Sequence, residues 1–409
     1  MFRPLQKQAM TLLGKLKYFS KPPIIVYDPS SYKVKGADVR ELLGVLQPGD
    51  ILLRAYDGYL DSWFIRSSRP LDKGARRRGV FTHAALYVGR LGPQDRDRAA
   101  ADISGYAWDQ DRAIPAAELP AHREAMRERF FDSVLKPDQA GNWPDNAMVI
   151  HAMAEGVQME DILSFCRCDY LQVLRLPAQF QGVPHAELPP VFLLQADSEE
   201  ARLAGSLLAD QCLQREDATR LACAAALGKL GAEYDFACND VKAFQSFSCA
   251  ELVFYCYRAV GQWLDMRPRL HGFLGLWPRR VTVTPDDFTE TRLETVWQSR
   301  SLRAQACPSE ELVRQHSLRH LAEVFGVPET SLSLAVRFDE LAADPVSDFK
   351  RNQYDIVDDD IRDVADKRIL KEMAQGKLVI QTVGDYCDHM VRCSRIHPEE
   401  VSFVLRLPR

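Results

Sequence analysis

The chain has 409 residues, of which 46% are hydrophobic and 27% are charged, and its formal net charge is −5. This composition excludes a disordered chain, and a length above about 300 residues predicts more than one domain. The small net charge gives no overall attraction to nucleic acid, so we expect no nucleic-acid partner. Ten cysteines without regular spacing do not match a disulfide framework, which predicts free thiols and a cytoplasmic location. Cys166 and Cys168 form a C-x-C pair without a second pair at zinc-ligand spacing, so no metal or organic cofactor is predicted.

Residues 1–40 are predicted to form an N-terminal segment outside the main domain. Its start, MFRPLQKQAMTLLGKLKYFSKPP, mixes basic and apolar residues and lacks the apolar run and cleavage site of a secretory signal. No stretch of about 18 apolar residues occurs in the chain, so we predict no transmembrane segment. A weakly amphipathic N-terminal helix in peripheral contact with a membrane is a second interpretation.

The region that follows contains four short runs typical of β-strands. Each is rich in β-branched, aromatic or other apolar residues, and turn residues separate the runs. In chain order the runs are PGDILLR (48–54), FTHAALYVG (81–89), AMVIHAM (147–153) and DYLQVLRLP (169–177). A charged insert, residues 90–145, separates the second run from the third and includes a stretch that predicts an exposed amphipathic helix.

Helical patterns come after these strands. SEEARLAGSLLADQCL begins at Ser198, which is a good N-cap, and ATRLACAAALGKLG ends on a glycine. FSCAELVFYCYR is apolar over most of its helical surface, and RRVTVTPDDF adds a strand-like piece with a turn at Pro285. Meandering strands with helices clustered elsewhere predict an α+β domain over residues 41–300. Residues 301–409 become helical, charged and acidic, which predicts a separate helical domain.

Cys249 stands at the start of the apolar helix, directly behind Ser248. If Ser248 caps the helix, Cys249 lies in the first turn, where unpaired backbone N–H groups and the helix dipole favour a thiolate. The same amides can hold an oxyanion that forms beside the sulfur. A packed core cysteine is the alternative interpretation, and it is the one given to Cys256 in the same helix.

A cysteine nucleophile needs a base, and two of the nine histidines lie within predicted strands. His83 shares a strand face with Ala85 and Tyr87, which leaves space beside the ring. His151 is flanked by apolar residues in VIHAM. For each histidine, a hydrogen-bonded structural role is the alternative interpretation.

The order of these motifs resembles that of a known family. PGDILLR, then FTHAALYVG, then VIHA followed by EGV, is similar to the NlpC-type papain-like peptidases. In this chain the cysteine helix follows the histidine strands, which resembles the circularly permuted branch of the YaeF/YiiX type. Lecithin:retinol acyltransferase-like enzymes share this order, and VTVTPDDF resembles the family's last strand and turn. The resemblance covers roughly residues 41–300 and implies a permuted papain-like antiparallel sheet packed against helices.

Carried over by position, the resemblance implies that Cys249 is the nucleophile, His83 the general base and His151 the residue that orients His83. Glu155 is the alternative orienting residue. Substrate-binding candidates implied by the same comparison are Tyr87, Tyr234, Glu155 and Glu251. The long insert 90–145 departs from the family. Its role stays open between a lid, a partner surface and an addition without a function of its own.

The resemblance implies a cysteine-dependent hydrolase, an amidase or peptidase that acts through a thioester acyl-enzyme. Its substrate would be an amide- or ester-containing peptide or lipid, and no cofactor is required. Two alternatives stay open: a thiol acyltransferase on lipid or acyl-carrier substrates, and a binding scaffold without catalysis. The sequence makes no prediction of the oligomeric state.

The C-terminal domain has a second resemblance. HLAEVFGVPETSLSLAVRFDELAADPVSDF is similar to the first helix and loop of acyl carrier proteins, and TVGDYCDHM is similar to their last helix. Asp344-Pro345-Val346 replaces the Asp-Ser-Leu attachment site of that family, and Ser347 is out of register. An unmodified carrier-like fold and an unrelated helical cap are the two expectations for residues 301–409.

Overall fold

The computed structural model describes most of the chain. The described residues are 12, 15–20, 23–27, 32–59, 62, 68–70, 80–103, 106–107, 112–132, 147–181, 194–236, 245–273, 280–305, 308–341 and 352–407. Contacts divide the chain into two compact units, Met1–Ser299 and Arg300–Arg409. Part of the predicted insert and the Asp344-Pro345-Val346 sequence with Ser347 lie outside the described residues.

The secondary structure alternates short strands with short helices in the first unit and is helical in the second. The strands are β1 (Leu16–Ser20), β2 (Pro23–Tyr27), β3 (Ile51–Ala55), β4 (Ser68–Pro70), β5 (His83–Arg90), β6 (Tyr106–Ala107), β7 (Arg112–Ala113), β8 (Ala147–Met153), β9 (Gly156–Asp161), β10 (Tyr170–Arg175), β11 (Gln179–Gln181), β12 (Cys212–Gln214), β13 (Glu233–Tyr234), β14 (Ser246–Phe247), β15 (Arg269–Phe273), β16 (Arg280–Thr282) and β17 (Glu294–Gln298). The α-helices are α1 (Gly36–Leu43), α2 (Pro93–Arg96), α3 (Leu119–Arg127), α4 (Ile162–Phe165), α5 (Glu199–Leu208), α6 (Arg215–Gly228), α7 (Cys249–Cys256), α8 (Arg300–Gln305), α9 (Glu310–Phe325), α10 (Gln353–Asp363), α11 (Lys367–Ala374), α12 (Val383–Ser394) and α13 (Pro398–Val404).

The first unit is built around a six-stranded sheet. Its strand order is β17-β10-β3-β5-β8-β9, and every neighbouring pair is antiparallel. The four predicted strand runs become β10, β3, β5 and β8 in the middle of this sheet. Strands β9 and β17 add its two edges. The predicted α+β class is therefore confirmed.

Both faces of the sheet are buried. On one face, the strands, α1 and α4 form an apolar cluster that includes Leu42, Leu52, Ala85, Tyr87, Val149, Ile162, Phe165, Leu171, Val173 and Trp297. Ala84, Leu86 and Ile150 alternate with these residues along their strands, so they point to the opposite face, and they are fully buried as well. Burial on both faces explains why these runs are nearly continuous in apolar residues.

Strand β3 starts from a tight turn at Pro48-Gly49-Asp50. Gly49 has a φ of 92°, and a Cβ at this position would lie 2.4 Å from the Thr219 side chain, so only glycine fits. The Gly49 N–H donates to the carbonyl of Tyr87 over 2.8 Å, and the Asp50 carbonyl accepts from the Tyr87 N–H over 2.8 Å. The turn therefore fixes β3 in register against β5.

The carboxylate of Asp50 anchors this turn through a buried ion pair. It lies 2.7 Å from Nε of Arg175, and the two side chains are 1% and 12% exposed. Removing the carboxylate would leave a largely buried guanidinium without its counter-charge. We expect Asp50→Ala to lower the free energy of unfolding by about 3 kcal/mol, measured by urea denaturation.

An exposed pair provides the matched control for this prediction. Asp265 lies 2.8 Å from Arg292, but its side chain is 44% exposed. Asp265→Asn is expected to cost about 0.5 kcal/mol or less, because solvent screens the pair and asparagine tolerates the left-handed backbone (φ 60°) at this position. Equal losses for the two variants would contradict the anchoring role of Asp50.

Helix α7 packs against β5, β8 and α6, and all of its residues are buried. A capping box fixes its start. The Ser248 hydroxyl oxygen accepts the N–H of Glu251 over 3.4 Å, and the Glu251 carboxylate accepts the N–H of Ser248 over 2.9 Å. Ser248 is thus the N-cap that the sequence predicts, and Cys249 is the first helical residue.

Helix α3 in the insert has no buried residue, and the π-helical turn Glu128–Asp132 that follows buries Phe130 and Phe131. In the second unit, α9 packs against α10 and α12 around a core that includes Val313, Leu321, Val357, Ile361, Tyr386 and Met390. The carrier-like resemblance of this unit stays a prediction.

Candidate active site

Two of the predicted residues meet between neighbouring strands. His83 is the first residue of β5, and His151 lies within β8. In the described part of these strands, the backbone pairing of β5 with β8 begins at Leu86 and Ile150 and does not include either histidine. There the Nε2 atom of His83 lies 2.8 Å from Nδ1 of His151, which is hydrogen-bond distance. The histidine side chains thus join the two strands where the backbone ladder has ended.

Two charged side chains lie behind His151. Oε2 of Glu160, on β9, lies 3.6 Å from His151 Nε2 and 3.2 Å from Nη1 of Arg54 on β3. The guanidinium of Arg54 also donates to the Phe165 carbonyl over 3.2 Å and lies 4.1 Å from the centre of the Phe165 ring. Among the described residues, His151 Nε2 has no hydrogen-bond partner, and the Glu160 carboxylate lies just beyond hydrogen-bond distance from it. Glu160 thus lies between His151 and Arg54, and Arg54 is itself the cross-strand partner of His83.

Both histidines are neutral at physiological pH. Burial lowers the pKa of His83 well below its ordinary value, and Arg54 and His151 lower it further. Burial and the Arg54 guanidinium likewise lower the pKa of His151. A neutral imidazole has one N–H donor and one lone pair, so one histidine donates in their hydrogen bond and the other accepts.

Cys249 lies beside the strand that carries His83. The residue is 6% exposed, and the backbone N–H groups of Ala84 and Ala250 interact with its sulfur. These interactions lower the pKa of the thiol, but burial has the larger effect and raises that pKa to about 11. Because Ala84 directly follows His83, the sulfur lies at the same end of β5 as the histidine pair.

The resting site holds a neutral thiol and neutral imidazoles. Within the described residues, the Cys249 thiol makes no hydrogen bond to either histidine, and the Nε2 atom of His83 is occupied by His151. The Nδ1 atom of His83 is therefore the nitrogen left to approach the sulfur. Hydrogen bonds between catalytic groups are often long before substrate binds and tighten in the complex.

Three of the predicted substrate-binding residues are placed at different depths. Tyr87 is 8% exposed and belongs to the apolar cluster on one sheet face. Glu155 is exposed in the turn between β8 and β9, so the structure places His151, and not Glu155, against His83. Tyr234 is half-buried on β13 and is paired with Phe247, close in sequence to Cys249. Substrate contact by these residues stays a prediction.

The fourth residue, Glu251, is part of the helix cap. Its side chain accepts hydrogen bonds from the Ser248 N–H over 2.9 Å and from the Thr282 hydroxyl over 2.8 Å. Burial and, to a lesser extent, the nearby Asp235 carboxylate raise the pKa of Glu251 to about 7. These contacts use both carboxylate oxygens within the protein, which is a structural role, and its predicted contact with substrate stays untested.

Sequence patterns did not single out Arg54 or Glu160. Arg54 follows three apolar residues in the strand run PGDILLR. A charged residue within an apolar strand indicates a buried charge that needs a partner, and this signal was available from the sequence. Glu160 lies on β9, a strand that was not predicted. Its approach to His151 depends on the pairing of β8 with β9, which the local pattern does not specify.

A second cysteine–histidine contact lies in the second unit, where the Cys393 sulfur is 3.6 Å from Nε2 of His389. That nitrogen also lies 2.9 Å from the Ile361 carbonyl, and both side chains are buried in the helical core, which is a packed structural setting. Burial raises the pKa values of the Cys166 and Cys168 thiols, and both residues are buried. No group of three or more His, Cys, Asp or Glu side chains in the described ranges is arranged to hold a metal ion. Within the same ranges, no helix has the length and apolar character needed to cross a membrane.

Comparisons of the chain with protein-family models, curated proteins and solved structures give no match. The arrangement of Cys249, His83 and His151 is accordingly the basis for assigning a function.

The raised pKa of Cys249 predicts how its alkylation depends on pH. Without substrate the thiol has no hydrogen bond to His83, so its reaction with iodoacetamide should follow its own ionisation. We expect the rate to rise about tenfold per pH unit from pH 7 toward the pKa of about 11. Peptide mapping by mass spectrometry measures the rate at this one cysteine. A rate already constant from pH 6 upward would instead indicate a preformed thiolate–imidazolium pair.

Proposed function

We propose that the first unit is a cysteine-dependent hydrolase, an amidase or peptidase that acts through a thioester. The observation that carries this proposal is the 2.8 Å hydrogen bond between the His83 and His151 rings, beside a cysteine at a capped helix start. We further propose a circularly permuted papain-like fold, in which the histidine strands precede the cysteine helix. The antiparallel sheet and the packing of α7 on β5 and β8 support this assignment.

The side chain of Glu160 supports a specific tautomer for each histidine. A carboxylate near His151 Nε2 favours a proton on that nitrogen, which leaves Nδ1 of His151 as the acceptor. His83 then donates from Nε2 and keeps a lone pair on Nδ1. His83 is therefore the base, and His151 holds it in the tautomer and orientation that the reaction needs.

The reaction proceeds in two halves, and in each half His83 first takes a proton and then returns it, in the second half to the Cys249 sulfur as the carbon–sulfur bond breaks. The Nδ1 atom of His83 takes the thiol proton while the Cys249 sulfur attacks the carbonyl carbon of an amide or ester. The bond to the leaving nitrogen or oxygen breaks as His83 returns the proton to that atom, which leaves a thioester. Water, deprotonated by His83, attacks the thioester, and the carboxylic acid product leaves as the thiol is restored.

The start of α7 supplies donors for the negative charge of the tetrahedral intermediates. The capping box occupies the N–H groups of Ser248 and Glu251. The N–H groups of Cys249 and Ala250 lie between them and take no part in the box. A carbonyl oxygen attacked by the Cys249 sulfur would develop its charge at the Cys249 N–H and at the positive end of the helix dipole, since the Ala250 N–H interacts with the sulfur itself.

A thiol acyltransferase is the second candidate. Its first half-reaction is identical, and an amine or alcohol replaces water in the second. The histidine-before-cysteine order, which the chain shares with lecithin:retinol acyltransferase-like enzymes, favours this candidate over a scaffold. The two enzymes differ only in the acceptor that resolves the thioester.

Trapping the acyl-enzyme tests the proposal on the full chain. The protein is incubated with p-nitrophenyl esters, peptide amides and phospholipid vesicles, quenched in acid and digested for mass spectrometry. We expect an acyl adduct on the peptide that contains Cys249, removable by neutral hydroxylamine, as thioesters are. Release by water alone indicates a hydrolase, and release only with an added amine or alcohol indicates a transferase. Adducts distributed over several cysteines, or none on Cys249, would leave a binding scaffold as the interpretation.

A further inference from the structure

Residues 280–290, here called the closing segment, contact both halves of the candidate site. The segment contains β16 and the 3-10 turn Pro285–Glu290. At one end, the Thr282 hydroxyl donates to Oε1 of Glu251 over 2.8 Å. Oε2 of Glu251 accepts the N–H of Ser248 over 2.9 Å, and Cys249 follows directly. Thr282 therefore holds the carboxylate that fixes the start of the cysteine helix.

The other end of the segment holds the approach to the histidine strand. Oδ1 of Asp286 accepts the backbone N–H of Val80 over 2.9 Å and that of Phe81 over 3.2 Å. These residues lead directly into His83, the first residue of β5. One carboxylate oxygen thus receives two backbone donors at the point where the chain enters the site.

The closing segment is itself held in one shape. Oδ2 of Asp287 accepts the N–H of Thr284 over 2.7 Å and its hydroxyl over 2.8 Å, which caps the turn. The same atom lies 3.0 Å from Nε2 of the fully buried His271 on β15, and β15 pairs with β16. The distance between Thr282 and Asp286 is therefore fixed by buried polar contacts.

We propose that the closing segment is a positioning element that sets the Cys249 sulfur against the His83 ring, with Thr282, Glu251 and Asp286 as its positioning residues. The path runs from Cys249 through Ser248, Glu251 and Thr282 to Asp286 and on to His83. This inference rests on the proposed function for its catalytic consequence. It also assigns Glu251 a role in the site that needs no contact with substrate.

Thr282→Val removes the hydroxyl and keeps the shape of the side chain. We expect it to lower kcat/KM about tenfold or more through kcat, with KM nearly unchanged, because small misplacements of reacting groups are costly. Thr282→Ser restores the hydroxyl and is expected to restore most of the rate. Asp286→Ala should lower kcat in the same way, and Asp286→Asn, which keeps an oxygen acceptor, should lower it less.

A control for destabilisation is Val173→Ala. Val173 is fully buried on β10, in the six-stranded sheet that contains His83, and makes none of the contacts that link Cys249 to His83 through the closing segment. All variants are assayed well below their melting temperatures. We expect Val173→Ala to melt earlier and to keep the wild-type kcat. If Val173→Ala loses as much kcat as Thr282→Val, or if Thr282→Val and Asp286→Ala keep full kcat, the positioning role is overturned.

Hydrogen exchange separates failure of this inference from failure of the proposed function. Exchange followed by mass spectrometry requires no substrate. We expect Thr282→Val to speed exchange in peptides covering 245–252 and Asp286→Ala to speed it in peptides covering 80–86, with Val173→Ala affecting neither. If the wild-type protein forms no acyl adduct, the proposed function fails. The exchange pattern alone then decides whether the closing segment holds the start of α7 and the entry to β5. Unchanged exchange in both stretches would overturn the inference.

Discussion

Cys249→Ala is expected to lower kcat/KM by about 10⁴-fold or more and to abolish the acyl adduct. The reason is that the reaction has no second nucleophile at this position: the thioester can form only on the sulfur. The variant should remain folded, because the capping contacts of Ser248 and Glu251 do not involve the thiol. Activity is measured with the best donor found by trapping, and the melting temperature is measured in parallel.

Cys256→Ala is the matched control for this prediction. Cys256 is a buried cysteine in the same helix, and burial likewise raises the pKa of its thiol. Its removal changes the number of thiols and the packing of α7 without touching the site. We expect Cys256→Ala to keep the wild-type kcat/KM. Residual activity of Cys249→Ala equal to that of this control would mean that the reaction does not pass through Cys249.

The parts of the fold that could be predicted are those with local causes. The four middle strands of the sheet are apolar on both faces, and the turn at Gly49 and Asp50 requires glycine and a carboxylate. The start of α7 follows from the chemistry of Ser248 and Glu251, which are three residues apart and cap each other. In each case a short stretch of sequence contains both the group and its partner.

The parts that could not be predicted depend on pairing between distant segments. Glu160 faces the histidines because β9 pairs with β8, and Arg54 does so because it is paired with His83 across β3 and β5. The contacts of Thr282 with Glu251 and of Asp286 with Phe81 likewise join segments far apart in the chain. A single sequence lists these residues but does not specify which of them come into contact. Their roles can therefore be assigned only from the folded structure.

His83→Ala is expected to lower kcat/KM by about 10³-fold near neutral pH. With the base removed, the thiol must lose its proton to water before it can attack. Since burial raises the pKa of Cys249 to about 11, only a very small fraction of the thiol is ionised at pH 7. His122→Ala is the control histidine and should keep the wild-type rate, because His122 is half-buried on helix α3, which has no buried residue.

The pH dependence of kcat/KM identifies His83 as the base more directly than the fall in kcat/KM that His83→Ala causes. Burial lowers the pKa of His83 well below its ordinary value, so the wild-type base is unprotonated throughout the neutral range. We therefore expect wild-type kcat/KM to be flat between pH 7 and pH 9 and to fall only in acid, as His83 gains a proton. In His83→Ala, kcat/KM should instead rise about tenfold per pH unit across this range, following thiol ionisation. Added imidazole should recover part of the rate at pH 7. A flat profile in the variant would show that another group deprotonates Cys249, and the two strand histidines would then have a structural role.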